Sequence, residues 1–169
     1  MVNIVTDKPV TFNEYKFNPA TVDSMFSNFV FTNARLITKA MIAWWAFHDD
    51  EQELLSLETV LEIEHIYARN RQDKEKSLFD AKNLEPLGNK ALLEKRINIG
   101  AADYRFEDKK KYYLGFTKCR QKKDGTKIHE LVKLASTIAD FTEVDIVERN
   151  RSIIDGFIEF LRDNELTTV

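Results

Sequence analysis

Apolar residues recur at steps of three and four positions in four stretches of the chain, which predicts four amphipathic helices. The first covers residues 34–47, the second 104–116 and the third 128–138. The fourth follows Thr142, a residue type that caps helix N-termini. On the first helix, the stripe predicted to face the core consists of Leu36, Ile37, Ala40, Met41 and Trp44.

Residues 61–66 alternate apolar and charged side chains, and this period of two predicts a β-strand. Leu61 and Ile63 are expected to face the core, and His65 lies on that same face. Glu64 points to the opposite face, so Glu64 and His65 can serve one site only where the strand bends or ends.

Two polar segments show no period and are predicted to be loops. Residues 69–82 lead into a turn marked by Pro86 and Gly88. Residues 118–127 form a second, strongly basic loop, whose turn we place at the pair Asp124 and Gly125.

The pattern contains four predicted helices and one predicted strand, and it therefore predicts an α+β fold that is mostly helical. With 169 residues, the chain is long enough to bury one core without disulfides or a structural metal. We expect residues 34–169 to form this domain. Residues 1–33 show no clear period, and we interpret them as an N-terminal arm or the remnant of an upstream region.

Composition excludes a disulfide scaffold and a membrane protein. Cys119 is the single cysteine and cannot form an internal disulfide. The longest apolar run, residues 41–47, is far shorter than a membrane span, and the N-terminus lacks the apolar region of a signal peptide. We therefore expect a cytoplasmic protein without a membrane partner.

Charge is strongly segregated along the chain. Residues 69–127 contain 17 Lys+Arg and 9 Asp+Glu, a local balance of +8. The remainder contains 8 Lys+Arg and 19 Asp+Glu, or -11, which gives the net charge of -3. A local cation cluster of this kind suits a polyanion-facing surface, and a solvated lysine-rich surface is the alternative interpretation.

The residues that carry chemistry are Glu64 and His65, followed by Asn89 and Asn98. Asn89 follows His65 by 24 positions, and Asn98 follows Asn89 by 9. A neutral imidazole accepts a proton near neutral pH, while carboxylate and amide oxygens are the hard ligands that magnesium prefers. Hydrolysis of a phosphodiester needs both a base for water and positive charge on the phosphate, so these residues predict a one-metal hydrolytic site.

Several strings of the sequence form a recognisable combination: residues 63–66 (IEHI), 83–93 (NLEPLGNKALL), Asn98, 106–109 (FEDK) and Tyr112. This combination resembles the HNH nucleases, also called ββα-metal or His-Me finger nucleases. It is similar in particular to the HNH domain at the carboxyl end of GmrSD-type modification-dependent restriction enzymes. The helix around Trp44 and residues 146–149 also resemble the flanks of that domain.

The resemblance implies an HNH motif embedded among packed helices, and it implies a role for each site residue. Glu64 and Asn98 would hold a divalent metal, most simply Mg²⁺, with Mn²⁺ or another divalent ion as alternatives. His65 would act as the general base. Asn89 would hold the imidazole in its working orientation, a role that Asn83 offers as an alternative. The residues expected to contact nucleic acid are Lys109, Arg69, Arg71 and Lys90.

The implied function is a metal-dependent endonuclease that hydrolyses DNA phosphodiester bonds, in the setting of restriction of foreign or modified DNA and hence phage defence. Relatives carry this domain behind an NTP-binding or sensor domain, which residues 1–33 are too few to form. We expect such a domain upstream or in a partner chain, or else a stand-alone nuclease.

Two rival functions stay open. Relatives often have proline three positions after the histidine, where this chain has Ala68, and classical members have histidine at the position of Asn98. Both differences keep a non-catalytic nucleic-acid-binding module as an alternative. The acidic ends and the aromatic content suggest a second alternative, a helical interaction subunit of a larger complex.

Overall fold

The structure is a computed structural model, which describes residues 16–102 and 105–168. Its elements in chain order are α1 (Pro19–Asn28), α2 (Leu36–Phe47), β1 (Leu61–His65), α3 (Arg69–Glu75), β2 (Lys90–Glu94), α4 (Lys95–Ala101), α5 (Phe106–Leu114), β3 (Phe116–Lys118), β4 (Gln121–Lys123), α6 (His129–Thr137) and α7 (Glu143–Asp163). Short 3₁₀ turns lie at Ala81–Leu84 and Leu87–Asn89. The α+β prediction is confirmed. No described helix has both the length and the apolar character that crossing a membrane requires.

The described residues divide into two units, Val30–Arg151 and a smaller one that combines residues 16–29 with residues 152–168. In the smaller unit, α1 begins after Asn18, whose side chain accepts hydrogen bonds from the first backbone N–H groups of the helix. Its core consists of Val22, Ile154, Ile158 and Leu161. The predicted boundary at residue 33 stays a prediction, and residues 1–15 of the predicted arm lie outside the described part of the chain.

The larger unit is built on the antiparallel pair β1 and β2. The register pairs Leu61 with Glu94 at one end and His65 with Lys90 at the other. Helix α2 packs on β2, while α4 follows β2 directly and packs on both strands. Helix α5 packs on α4 and α6. The larger buried side chains of this unit include Phe31, Ile42, Leu92, Leu93, Phe106 and Phe141.

The predicted buried stripe of α2 is wrong at its start. Leu36 is 90% exposed and Ile37 44% exposed, and Ala40 is exposed as well. The buried residues are Thr38, Met41, Ile42 and Ala46. Helix α2 is apolar on nearly every side, so periodicity does not select the face that packs against β2.

Both predicted loops contain regular structure. Residues 69–82 begin with α3, which carries no buried residue and therefore shows no apolar period in the sequence. Residues 118–127 include a hairpin of β3 and β4, whose turn is at Cys119 and Arg120 and not at Asp124. Both turn residues have positive φ angles, 51° and 63°, which non-glycine residues seldom adopt, so the sequence gives no turn signal there.

The other predicted elements are confirmed. The strand at residues 61–66 is β1, and the helices at 104–116 and 128–138 are α5 and α6, although residues 103–104 lie outside the described part of the chain. Thr142 precedes α7, and Asp145 accepts hydrogen bonds from its backbone N–H and its hydroxyl at 2.7 and 2.6 Å. Both bonds are donated by Thr142, and they link the residue before α7 to the first turn of the helix.

Candidate active site

The candidate site lies where β1 ends and β2 begins. The register places the side chains of His65 and Lys90 on the same side of the two strands. The Lys90 Nζ lies 3.0 Å from the His65 Nε2. Because an ammonium only donates, the lone pair of Nε2 accepts this hydrogen bond and the neutral ring carries its proton on Nδ1.

Lys90 is fully buried and has two further partners. Its Nζ donates to the Asn33 Oδ1 at 2.9 Å and forms an ion pair with the Glu85 Oε2 at 2.9 Å. Burial lowers the pKa of Lys90, and the Glu85 carboxylate opposes this effect. The sequence predicted that Lys90 contacts nucleic acid, whereas this structure turns its ammonium inward onto protein acceptors.

The imidazole of His65 is half-buried in positive surroundings. Burial, which is the largest cause, and the positive charges of Lys90 and Arg69 together lower the pKa of His65 to about 3. The ring is therefore neutral at pH 7, which is the form that accepts a proton. Arg69 lies 2.6 Å from the Glu85 Oε1 and keeps half of its side chain exposed.

Glu64 lies on the other face of β1 and is 4% exposed. Its Oε1 accepts hydrogen bonds from the Lys109 Nζ and the Tyr113 hydroxyl, both at 2.6 Å. Lys109 also donates to the backbone oxygen of His65 at 2.5 Å. Burial raises the pKa of Tyr113 well above its usual value, and the Glu64 charge adds to this, so the phenol stays protonated and donates.

Lys109 was predicted to contact substrate phosphate, and its burial argues against that contact. Its side chain is 1% exposed and forms a direct ion pair with Glu64. Lys109 and Tyr113 are four residues apart on α5 and so lie on one face of that helix. Helix α5 thus presents two donors to the same carboxylate oxygen.

Asn98 lies on α4, the helix that follows β2. Its Nδ2 donates to the Glu62 Oε2 at 3.1 Å, so its direct partner is Glu62. Glu62 and Glu64 are two residues apart on β1 and lie on one face, with their Cα atoms about 7 Å apart. Asn98 and Glu64, the two predicted metal ligands, therefore share a face of β1 without a direct hydrogen bond between them in the described structure.

Asn89 is fully buried and bonds to backbone groups. Its Oδ1 accepts from the Tyr67 N–H at 2.7 Å, and its Nδ2 donates to the Tyr67 and Leu84 oxygens, both at 3.1 Å. These bonds hold the chain directly after His65, and the ring of His65 receives none of them. The alternative residue, Asn83, donates to the Glu143 Oε1 at 2.6 Å. Both asparagines therefore act on the backbone or on another side chain in this structure.

The turn before β2 is held by the guanidinium of Arg149. Its Nη1 donates to the backbone oxygens of Leu87, Gly88 and Lys90, each at 2.9 Å. The Glu130 carboxylate accepts from Arg149 through both of its oxygens, at 2.7 and 2.9 Å. A buried, bidentate arginine with five satisfied contacts makes this turn a rigid support for Lys90.

Arg71 was predicted to contact nucleic acid, but its charge is already neutralised within the protein. Its guanidinium forms a bidentate pair with Asp140 at 2.8 and 2.7 Å and a further bond to Glu75 at 3.0 Å. The Asp140 hydrogen bond raises the pKa of Arg71 above its usual value. This geometry gives Arg71 a role in holding α3 in place.

Three residues of the site were missed in the sequence: Asn33, Glu85 and Tyr113. Tyr113 had a usable signal, because it follows Lys109 by one helical turn. Asn33 and Glu85 had none, because both lie outside the strands and meet Lys90 only through the packing of the segment before α2 and of the turn before β2.

A second group of metal-ligating side chains consists of Asp49, Glu51 and His129, whose ligand atoms lie within 4.8 Å of one another. The His129 Nδ1 is 3.0 Å from Asp49, and its Nε2 is 3.5 Å from Glu51. The backbone N–H of Glu51 lowers the pKa of Asp49, and His129 lowers it further. The two carboxylates face different nitrogens of the His129 ring, whereas a metal binds such a ring through one nitrogen.

The family model described as GmrSD restriction endonucleases, C-terminal domain, matches residues 20–155. No curated protein and no solved structure matches the chain. The matched range runs from α1 into α7 and contains every residue of the strand-end site. The chain therefore belongs to the family of the GmrSD restriction endonucleases, as its C-terminal domain.

Proposed function

We propose that this protein is a metal-dependent DNA endonuclease of the HNH type, with His65 as its general base. The observation that supports this most directly is the order β1, β2, α4, with Glu64 and His65 at the end of β1 and Asn98 on α4. Two antiparallel strands followed by a helix are the arrangement that the HNH resemblance implies. Because β1 ends at His65, side chains from both of its faces can reach one phosphate beyond the strand end.

The chemistry of the available oxygens fits a divalent metal. Among the described residues, the hydrogen bonds to Glu64 all go to Oε1, which leaves Oε2 to act as a ligand. Asn98 donates through Nδ2, which leaves its Oδ1 to act as a second ligand. Both are hard oxygen donors of the kind that Mg²⁺ and Mn²⁺ prefer. When bound, a divalent metal stabilises negative charge on the phosphate and on the leaving oxygen.

The residues of the chain then have distinct roles. His65 accepts the proton of the attacking water at Nε2, the ring nitrogen whose lone pair accepts the Lys90 hydrogen bond in this structure. Arg69, half-exposed beside Glu85, contributes a cation near the phosphate. Lys109 is a positioning residue, because it holds both Glu64 and the backbone oxygen of His65.

The test is nicking of supercoiled plasmid DNA by the purified protein, with Mg²⁺, with Mn²⁺ or with a chelator. We expect nicking only with a divalent metal, and a loss of about 100-fold or more in His65→Ala, the scale of a general-base contribution. His129→Ala is the matched control, because it removes an imidazole from the second group of metal-ligating residues. It should nick like the unchanged protein.

The outcomes separate the functions. Full activity in His65→Ala excludes His65 as the base. Loss of metal-dependent nicking in His129→Ala indicates that the metal binds at Asp49, Glu51 and His129 instead. Binding of DNA without cleavage supports the rival function, a non-catalytic nucleic-acid-binding module.

The ion pair between Lys109 and Glu64 favours that binding module, since an ammonium already neutralises the carboxylate that a metal would need. A protein that neither binds nor cleaves DNA supports the interaction subunit.

Family membership also suggests the biological setting. We propose that the domain acts in restriction of foreign or modified DNA, together with an NTP-binding or sensor domain that selects the target. The cytoplasm is the compartment in which such an enzyme meets its substrate.

A further inference from the structure

The hairpin of β3 and β4 concentrates positive charge on an exposed ribbon. All residues from 117 to 124 are exposed. The cations on this ribbon and directly after it are Lys118, Arg120, Lys122, Lys123 and Lys127. The register pairs Thr117 with Lys122 and Phe116 with Lys123, so the charges lie on both faces and at the tip.

These cations differ from the cations around the candidate site. Lys90, Lys109 and Arg71 each form an ion pair with a carboxylate. Within the described residues, no carboxylate lies within ion-pair distance of the five hairpin cations. Lys74, Lys76, Lys82 and Arg96 are also exposed without an ion pair among the described residues, but they are spread over α3, α4 and the segment between them. The hairpin is the element in which such cations follow one another within ten residues, which favours it as the contact for a polyanion.

The base of the hairpin is firmly held. The ring of Phe116 packs edge-on against Tyr112, with 5.1 Å between ring centroids. A Cβ on Gly125 would lie 2.3 Å from the Tyr113 oxygen, so only glycine allows this close approach. The Thr126 N–H donates to that same oxygen at 2.9 Å. A rigid base means that little conformational entropy is lost when the ribbon binds a partner.

Helix α5 connects the hairpin to the candidate site, because it carries Lys109 and ends two residues before β3. Along the chain, the path from Lys109 to the hairpin tip is at most about 30 Å. This length corresponds to roughly nine base-pair steps of a duplex. A duplex of about ten base pairs is therefore long enough to span this path.

We propose that the β3–β4 hairpin is a binding element for the phosphate backbone of duplex DNA, separate from the residues of the candidate active site. A two-stranded ribbon fits a groove of duplex DNA and places lysines beside the phosphates on its edges. The choice of DNA as the polyanion rests on the proposed function, while the hairpin's role as the binding element rests on its unpaired charge.

The experiment measures binding of a fluorescent 30-base-pair duplex by anisotropy over a range of salt, with a chelator present so that no cleavage occurs. The variant combines Lys118→Gln, Lys122→Gln and Lys123→Gln. We expect an affinity loss of about 10- to 100-fold at low salt and a salt slope shallower by about 2 to 3, since each lost phosphate contact lowers the slope by about 0.9.

Two controls make the result specific. The variant Lys74→Gln, Lys133→Gln, Arg162→Gln removes three exposed charges from other elements and should keep most of the affinity. The variant Lys118→Arg, Lys122→Arg, Lys123→Arg keeps the charge and should bind like the unchanged protein. Thermal unfolding of all three should be alike, because the substituted side chains are exposed.

Equal losses in the hairpin variant and the charge-matched control would overturn the inference, as would an unchanged protein that binds no duplex. Displacement of DNA by polyglutamate at equal charge would also overturn it, in favour of an acidic protein partner. Plasmid nicking, measured in parallel, separates the two proposals. Loss of binding in the hairpin variant of a protein that never nicks DNA supports the hairpin and rejects the nuclease. If that variant nicks and binds DNA like the unchanged protein, the result supports the nuclease and rejects the hairpin as the binding element.

Discussion

Two lysines buried beside β1 are the residues that depart most from an ordinary apolar core. Lys90 and Lys109 are at most 1% exposed, and each ammonium has more than one acceptor. An apolar residue would fill either place without the desolvation cost of a buried charge. Such departures are expected where function outweighs stability, which is why the two lysines mark the strand end as the candidate site.

Asn89 stabilises the chain directly after the strand that carries His65. Its three bonds hold the backbone at Tyr67 and Leu84, so Asn89→Ala leaves buried backbone groups without partners. We expect a free energy of unfolding lower by about 2 to 4 kcal/mol, measured by urea denaturation. Asn83→Ala, which removes a single bond to Glu143, should cost about 1 kcal/mol. An equal decrease in the free energy of unfolding in both variants would show that the three bonds of Asn89 do not stabilise the chain after His65 more than an ordinary side-chain bond.

Among the elements, the turn Leu87–Asn89 and helix α7 form one support for β2. Arg149 donates to three carbonyls of this turn region, and the Asn150 Oδ1 accepts from the Gly88 N–H at 3.1 Å. This close contact between a turn and a helix leaves no space for a side chain at Gly88. The position of Lys90, and with it the surroundings of His65, depends on α7 through that contact.

Gly88→Ala tests this contact. A Cβ at Gly88 would lie 2.0 Å from the Ile146 backbone oxygen. That oxygen belongs to the backbone of α7, which cannot easily shift to make room. We expect a loss of about 3 kcal/mol or more in the free energy of unfolding, the upper range for overpacking. Gly100→Ala is the matched control, since its Cβ would meet only the Tyr112 ring, at 3.0 Å. A thermal unfolding temperature that falls equally in both variants would contradict the prediction.

At the scale of the whole molecule, the net charge of -3 conceals how the charges are used. Most of the cations between Arg69 and Lys111 that lie near the candidate site are paired with carboxylates, whereas those of the hairpin are not. Charge in the first group is neutralised within the protein, and charge in the second remains available for binding. Acid should therefore weaken the fold by removing the negative partners.

The pH dependence of stability can be measured at Glu143. The N–H groups of Asp80 and Phe79 and the side chain of Asn83 donate to its carboxylate and lower its pKa. A carboxyl whose pKa is lower in the folded than in the unfolded state stabilises the fold above its unfolded pKa, and this contribution is lost as the pH falls through the folded value. We expect Glu143→Gln to be less stable than the unchanged protein at pH 7, with the difference shrinking toward pH 3. A constant difference in the free energy of unfolding across that range would refute the assignment.

Elements with a local signal could be predicted from the sequence. The steps of apolar residues in α5, α6 and α7 and the alternation in β1 arise from the period of each element, which the sequence carries directly. Helix α3 and the β3–β4 hairpin could not be predicted, because α3 buries no side chain and the hairpin turn uses two non-glycine residues with positive φ. The face of α2 was misassigned because an almost wholly apolar helix has no unique stripe.

The sequence by itself determined the fold class, most of the helices, the strand that carries Glu64 and His65, and the family resemblance, because these depend on neighbours in the chain. Tertiary structure alone decided the surroundings of those residues. It paired His65 with Lys90, Glu64 with Lys109 and Tyr113, and Asn98 with Glu62. These contacts join residues far apart in sequence, and they exist only because strand register and helix packing set which side chains meet.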